Sequence, residues 1–325
     1  MSFEYENVYL KETSTVVGPY EKKGPLGNYF DKTYDDLYIN QKTWEEAEIN
    51  LILDSVNLLK AKTNMDIDLH IGGDLLNQIV SSSYASNKIQ KPFLGIYSAC
   101  ASSVEGLILA SNLVESGKVK NCLCTTSSHN NGAEKQFRYP VEYGGQKPIT
   151  QTFTTTGGVS AIVTNQKTNI KITSATIGTV VDFGIKDAFH MGAVMAPAAY
   201  DTINKHLTSL NRNASYYDLI LTGDLGKYGK EILKELFREE QNITLNNLDD
   251  SACMIFDLNK QPVYAGGSGP ACLPLVAYSY ILKQMKEKKL SKVLLVATGA
   301  LMNTTMVNLK KSIPAIAHAI SLEVV

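Results

Sequence analysis

The chain repeats itself at long range. Asp68-Leu-His-Ile-Gly-Gly-Asp-Leu is echoed by Asp218-Leu-Ile-Leu-Thr-Gly-Asp-Leu, so that Asp224 stands 150 residues after Asp74. A second match is longer. Ala99-Cys100 pairs with Ala271-Cys272, Val104 with Val276, Lys120 with Lys292, Leu123 with Leu295 and Thr126 with Thr298, each 172 residues apart and without a gap. The change of offset marks an insertion around Gln241 to Pro262, which holds an expected strand at Ala252 to Asp257. A gapless register over a whole strand–turn–helix–strand unit is not a chance coincidence. A period this long signals a duplicated domain, not a solenoid. The chain is therefore read as two related halves, residues 1–170 and 171–325.

The repeated unit is clearest from Phe93 to Gly117. Phe93 to Tyr97 reads as a short apolar strand, and Ser98 to Ser103 as a turn of small residues. A helix follows, with Val104, Leu107, Ile108 and Val114 on one face and Gly117 as its stop. Cys100 sits where strand becomes helix. Backbone N–H groups and the positive end of a helix dipole favour a thiolate there. A small buried residue in a tight turn is the plainer reading of the same position.

Around this unit the pattern alternates. Thr43 to Lys60 reads as an amphipathic helix, Ile67 to Ile71 and Asn121 to Thr125 as strands. Thr152 to Val163 and Ile170 to Val181 read as further strands, with Gly157-Gly158 interrupting the first. Phe183 to Ala196 reads as a connector rich in glycine and methionine, followed by a helix at Ala198 to Leu210 and a strand at Asp218 to Leu221. Glu21 to Asn40 and Gly132 to Thr150 are long loop-like insertions, and such loops are usually functional or disordered. Strands alternating with helices imply parallel pairing covered by helices. Two halves, each with a buried central helix, predict an α/β fold in five layers, αβαβα. Its pocket is expected between the halves, at the strand C-termini.

Composition excludes several function classes. Hydrophobic residues make up 44% and charged residues 19%, with a net charge of -1. No global basic field exists, which argues against nucleic acid. No apolar run reaches the roughly 18 residues of a membrane span, and no signal-peptide pattern opens the chain; any work at a membrane is expected to be peripheral. Five cysteines, an odd number without zinc-like spacing, suggest free thiols in a reducing compartment. No metal constellation and no all-oxygen calcium loop is evident, and no cofactor motif is found.

A duplicated α/β chain with a cysteine at the start of its first buried helix resembles the thiolase and condensing-enzyme superfamily. In that superfamily the cysteine accepts the acyl group. The resemblance implies a histidine after the strand at Asp218 to Thr222, and an asparagine or histidine before the second central helix. Here those slots hold Gly223 and Gly267. Condensation and decarboxylation need a base and an oxyanion donor, and glycine supplies neither, so the thiolase reaction is expected to be lost.

Several stretches are also similar to the stage V sporulation protein AD family of spore-forming bacteria. They are Lys23-Gly-Pro-Leu-Gly-Asn-Tyr-Phe-Asp-Lys-Thr-Tyr-Asp, Gly73-Asp-Leu-Leu-Asn-Gln, Thr126-Ser-Ser-His-Asn, Gln136-Phe-Arg-Tyr-Pro-Val-Glu-Tyr-Gly-Gly-Gln-Lys-Pro, Met195-Ala-Pro-Ala-Ala and Ser312-Ile-Pro-Ala-Ile-Ala-His. This resemblance implies a non-catalytic protein that binds dipicolinic acid (pyridine-2,6-dicarboxylate), free or as its calcium chelate. It implies uptake of that acid into the developing spore, a link to germination, and membrane-embedded partners from the same sporulation operon. It places the protein on the cytoplasmic side or surface of the inner spore membrane. A thiolase-fold acyltransferase or thioesterase using Cys100, and a purely structural subunit, are the competing readings.

The expected ligand site gathers Cys100, His129, Arg138, Lys147, Asp224, Gly267 and Ser268. Cys100 is expected as pocket wall. His129 lies past a strand C-terminus and could donate to a carboxylate, or be a hydrogen-bonded structural histidine. Arg138 and Lys147 sit in the insertion that the superfamily uses to cover its pocket and build its dimer; a guanidinium matches a carboxylate in a bidentate fork, although Arg138 could also pair with Glu142 or serve at a dimer interface. Asp74 and Asp224 are duplicates, and such repetition more often marks a turn cap than a ligand. The Gly266 to Gly269 turn offers backbone N–H groups for an anion. His70, His206 and His318 read as structural. The resemblance implies a homodimer, since in the related fold sheet edges of the first half pair across a two-fold axis; the candidate edge is Thr152 to Val163, which left open would expose unpaired backbone.

Overall fold

The computed structural model describes residues 1–137 and 147–325. Its strands are β1 (Ser2–Glu4), β2 (Tyr9–Val17), β3 (Lys32–Thr33), β4 (Leu69–Gly73), β5 (Phe93–Gly95), β6 (Asn121–Ser128) and β7 (Phe153–Thr154) in order, then β8 (Gly157–Thr164) and β9 (Ile170–Ile177). They continue with β10 (Leu219–Thr222), β11 (Leu248–Asp250), β12 (Gly267–Ser268), β13 (Lys292–Ala300) and β14 (Ala315–Val324).

Ten of these strands follow one hydrogen-bonded path, β11-β10-β13-β14-β9-β2-β8-β6-β4-β5. The path reads the same from both ends. From β5 inward the pairings run parallel, parallel, antiparallel, antiparallel. From β11 inward they run parallel, parallel, antiparallel, antiparallel again. The two five-strand segments meet at a single pair, Tyr9 opposite Lys171. The repeat in the sequence is thus a repeat of topology.

Helices complete the layers. Helix Trp44–Lys62 packs on β2 and β8, and helix Met191–Ser209 on β13 and β14, each outside its own segment. Helix Ser102–Glu115 contacts β4, β6 and β8 on one side and β9, β13 and β14 on the other, so it lies between the two sheet segments. The helical stretch from Cys272 to Lys286, with a π-helical turn at Ala277–Ile281, fills the same middle layer. Its residues Leu273, Leu275 and Val276 share one buried core with Val104, Leu107 and Ile108. This is the expected αβαβα arrangement.

Three local expectations are corrected. Thr152 to Val163 is not an open edge, because β8 is paired on both sides, with β2 and β6; β5 and β11 end the path instead. Ala252 to Asp257 is not a strand. The Asp250 side chain accepts from Ala252 N and caps a short helix, Ser251–Ile255, while the strand of that insertion is β11. Finally, the connector ends earlier than expected: a helix begins at Met191, capped by the His190 ring, and carries Pro197 in its interior. Proline is disfavoured inside a helix, which is why the sequence places the start after it. Tertiary packing overrides that preference. A Cβ on Gly192 would lie 2.9 Å from Gly229 N, so the helix Gly226–Gln241 crosses Met191–Ser209 at backbone contact.

Candidate functional site

Cys100 lies in the tight turn between β5 and the central helix. Ala99 before it adopts a left-handed φ of +50°, a conformation uncommon for a residue with a side chain. Ser102 fastens the turn: its Oγ accepts from Ser98 N at 2.9 Å and donates to Ala99 O at 2.8 Å. The turn holds Cys100 half-buried at the wall of a small cavity between the two halves.

The cavity encloses about 60 Å³. Leu75, Tyr97, Ala133 and Phe137 form the wall from the first half; Met191, Met195 and Met302 form the wall from the second. Its polar lining includes Thr152, Thr154, Glu134, Asp224 and Ser268. A larger open cleft of about 690 Å³ adjoins it and shares Leu75, Tyr97, Phe137 and Met302. Roughly 150 Å³ holds a benzene-sized guest in an apolar cavity, so a ring enters only if the methionines and Phe137 move. Methionine is the apolar side chain best suited to that.

Asp224 is the most constrained polar group here. It follows β10 and is fully buried. Thr298 Oγ1 donates to its Oδ1 at 2.5 Å, Gly269 N donates to Oδ2 at 3.4 Å, and the Cys100 thiol hydrogen-bonds to the same carboxyl. Burial pushes its pKa up to about 7, against the pull of these donors. Its duplicate has another fate. Asp74 accepts from Leu76 N at 2.9 Å and Ser82 N at 2.8 Å, and so caps the turn after β4. One copy of the repeated aspartate is a cap and the other faces the cavity.

The remaining expected residues divide. Ser268 lines the cavity, on the short pairing of β12 with β7. Gly267 lies behind it: a Cβ there would meet Ile255 Cγ2 at 2.9 Å and Cys272 Sγ at 3.0 Å. Gly223 is different, since a Cβ there finds only ordinary contacts, the nearest Leu273 Cβ at 3.5 Å. Lys147 does not line the cavity; it pairs at 3.2 Å with Glu134, which does. Arg138 lies outside the described residues.

His129 is not brought to the cavity. Its Nε2–H donates to Leu37 O at 2.7 Å, its Nδ1 accepts from Gly132 N at 3.4 Å, and its ring stacks on Trp44 at 5.2 Å. Burial lowers its pKa. It is a neutral imidazole that ties the Glu21 to Asn40 segment to the end of β6. His70 and His206 are likewise buried and hydrogen-bonded, to Ser86 and Thr125 and to Thr176 and Tyr217.

Sequence reasoning missed Glu134, Tyr97 and the three methionines of the wall. Met191 and Met195 had a signal, a spacing of four that puts them on one helical face, obscured by Pro197. Thr298 stood in the sequence only as the duplicate of Thr126, whose hydroxyl instead donates to Pro270 O at 3.0 Å.

Among solved structures, the chain resembles 3-oxoacyl-(acyl-carrier-protein) synthase III of Aquifex aeolicus, with a TM-score of 0.59 at 13% identity, covering 97% of this chain and 99% of that one. It also resembles human mitochondrial 3-ketoacyl-CoA thiolase, with a TM-score of 0.60 at 9% identity over 98% and 99% of the two chains. At such identities the likeness concerns the fold, which is thiolase-like. The stage V sporulation protein AD of Bacillus subtilis (strain 168) is 49% identical over 319 residues, 97% of this chain and 94% of that protein. The family described as Stage V sporulation protein AD matches residues 1–323. The chain therefore belongs to the stage V sporulation protein AD family, built on a thiolase-like fold.

Proposed function

We propose that this protein is a non-catalytic binder of dipicolinic acid that serves uptake of the acid into the developing spore. The observation that carries the reading is the state of the site in a member of this family: the cavity at Cys100 persists while glycine occupies both partner slots. At Gly267 the loss is built into the packing, because Ile255, Cys272 and Phe256 fill the space a side chain would need. The Cys100 thiol meets the carboxyl group of Asp224. These features weigh against the alternative of an acyltransferase or thioesterase using Cys100.

The ligand occupies the junction of cavity and cleft, with its ring against the methionines and Phe137. Asp224, Ser268 and Glu134 supply polar lining, and Lys147 reaches the site through its ion pair with Glu134. Cys100 is wall; Arg138 belongs to the proposed set through the family resemblance, and His129 leaves it. The acid enters free or as its calcium chelate, and the protein works at the surface of the inner spore membrane with membrane-embedded partners. Among the described residues no helix is long and apolar enough to cross a membrane. A homodimer is proposed through β5, whose outer side has no strand partner among the described residues and where Leu94, and Tyr97 just after the strand, are about half exposed.

Calorimetric titration with dipicolinate tests the reading. Saturable binding by the parent, lost when Cys100→Phe fills the cavity in a folded protein, is expected. No heat of binding from the parent, or undiminished binding by that variant, overturns it. Release of CoA from acyl-CoA with acylation of Cys100 would favour the enzyme.

A further inference from the structure

Two buried carboxyls line the cavity, and among the described residues Glu134 is paired with Lys147 whereas the hydrogen-bond donors to Asp224 are neutral. Asp224 accepts from a hydroxyl, a backbone N–H and a thiol, those of Thr298, Gly269 and Cys100. The titratable groups around it, among the described residues, are acids and thiols. Cys100 comes from the turn before the central helix, Cys272 from the second central helix, and Asp250 from the end of β11. Asp250 is itself enclosed, accepting from Thr222 Oγ1, Leu225 N, Gly226 N and Ala252 N. Lys230 lies beyond it, paired with Asp249 at 3.2 Å. Tyr97 and Glu134 also line the cavity, the latter joined to Lys147.

A carboxylate ligand brought against this wall places a second negative charge beside Asp224 in a water-poor space. Two carboxylates that share such a site do not both stay ionised. We propose that the cavity takes up its acid ligand together with a proton, and that Asp224 holds that proton while the ligand is bound. This rests on the reading of the cavity as a carboxylate site. The proton comes from solvent and binds a carboxylate oxygen of Asp224. The resulting O–H then donates to the ligand carboxylate where an ionised Asp224 would repel it. On release the proton returns to solvent. The site thus selects one carboxylate plus one proton, and Asp224 sets the protonation state of the complex.

The consequence is a pH-dependent affinity. With the empty site titrating near 7, and the ligand moving that titration up by about two units or more, the dissociation constant rises roughly tenfold per pH unit above neutrality. Between about pH 6 and pH 8.5 the loss of affinity is roughly twenty- to thirtyfold. Dipicolinate itself is fully ionised across that range and contributes no slope.

The test is titration calorimetry with dipicolinate on the whole protein at several pH values. At about pH 8 it is repeated in two buffers of different ionisation enthalpy, which counts protons taken up. Close to one proton per ligand is expected, with the affinity loss above. Asp224→Asn should flatten the pH profile and abolish the uptake. Thr298→Val, which removes a donor to the ionised carboxyl, should move the fall in affinity to higher pH and keeps the test open if the asparagine variant does not fold. Binding with a flat profile and no proton taken up overturns this inference and leaves the proposed function standing. Absence of binding at every pH overturns both.

Discussion

Glu21 offers a sharp test of how this fold tolerates buried charge. It sits in the short helix Pro19–Lys22 and is completely buried. Thr156 N donates to its Oε1 at 2.9 Å, and its Oε2 has no partner among the described residues. Burial pushes its pKa from an ordinary 4.5 up to about 8, with the Thr156 N–H pulling the other way. Between those two values the native state holds a proton that the unfolded chain has lost. Stability therefore falls as pH rises through that window, by about 1.4 kcal/mol per pH unit, and levels off above the native pKa. Across the window the effect is on the order of 5 kcal/mol. Glu21→Gln replaces the protonated acid with a neutral group of the same shape, so it removes this slope and leaves other titrations alone. Urea unfolding at about pH 5 and pH 8.5 checks it. Trp44, the sole tryptophan, is half-buried and stacks on His129 in the folded state, and supplies the fluorescence signal. The variant should gain roughly 4 kcal/mol on the parent between the two pH values. An equal difference at both would refute the assignment of a proton to buried Glu21.

Three further outcomes follow from the site. Gly267→Asn, which restores a side chain to an empty partner slot, should destabilise by about 1–3 kcal/mol through overpacking and yield no thiolysis; a variant as stable as the parent in urea would show that Ile255 and Cys272 yield. His129→Ala should lower stability by about 1–3 kcal/mol, since Leu37 O loses its donor, while dipicolinate affinity stays within about twofold; a tenfold loss of affinity would return His129 to the site. The parent should show no cleavage of acetoacetyl-CoA at ordinary enzyme rates, because removing one oxyanion donor alone lowers rates about 10²–10³-fold; cleavage abolished by Cys100→Ala would refute this.

The sequence by itself determined the architecture. The two repeats, Asp68 to Leu75 with Asp218 to Leu225 and the unit after Ala99 with that after Ala271, fixed two halves of one topology. Such information is local: strand and helix periods and turn residues are written along the chain. The same locality put the helix start after Pro197 and a strand at Ala252 to Asp257, since only contacts with Gly229 and the Asp250 cap decide otherwise. Which strand lies open was also beyond the sequence, because the number of neighbours, two for β8 and one for β5, is set by pairing between distant segments. Above all, the duplication makes Asp74 and Asp224 equivalent, and only the tertiary structure separates them. Asp74 is satisfied by backbone donors within eight residues of itself. Asp224 meets Thr298, Gly269 and Cys100, brought from both halves of the chain. A buried carboxyl takes its chemistry from whatever surrounds it, and those surroundings exist only once the two halves have packed together.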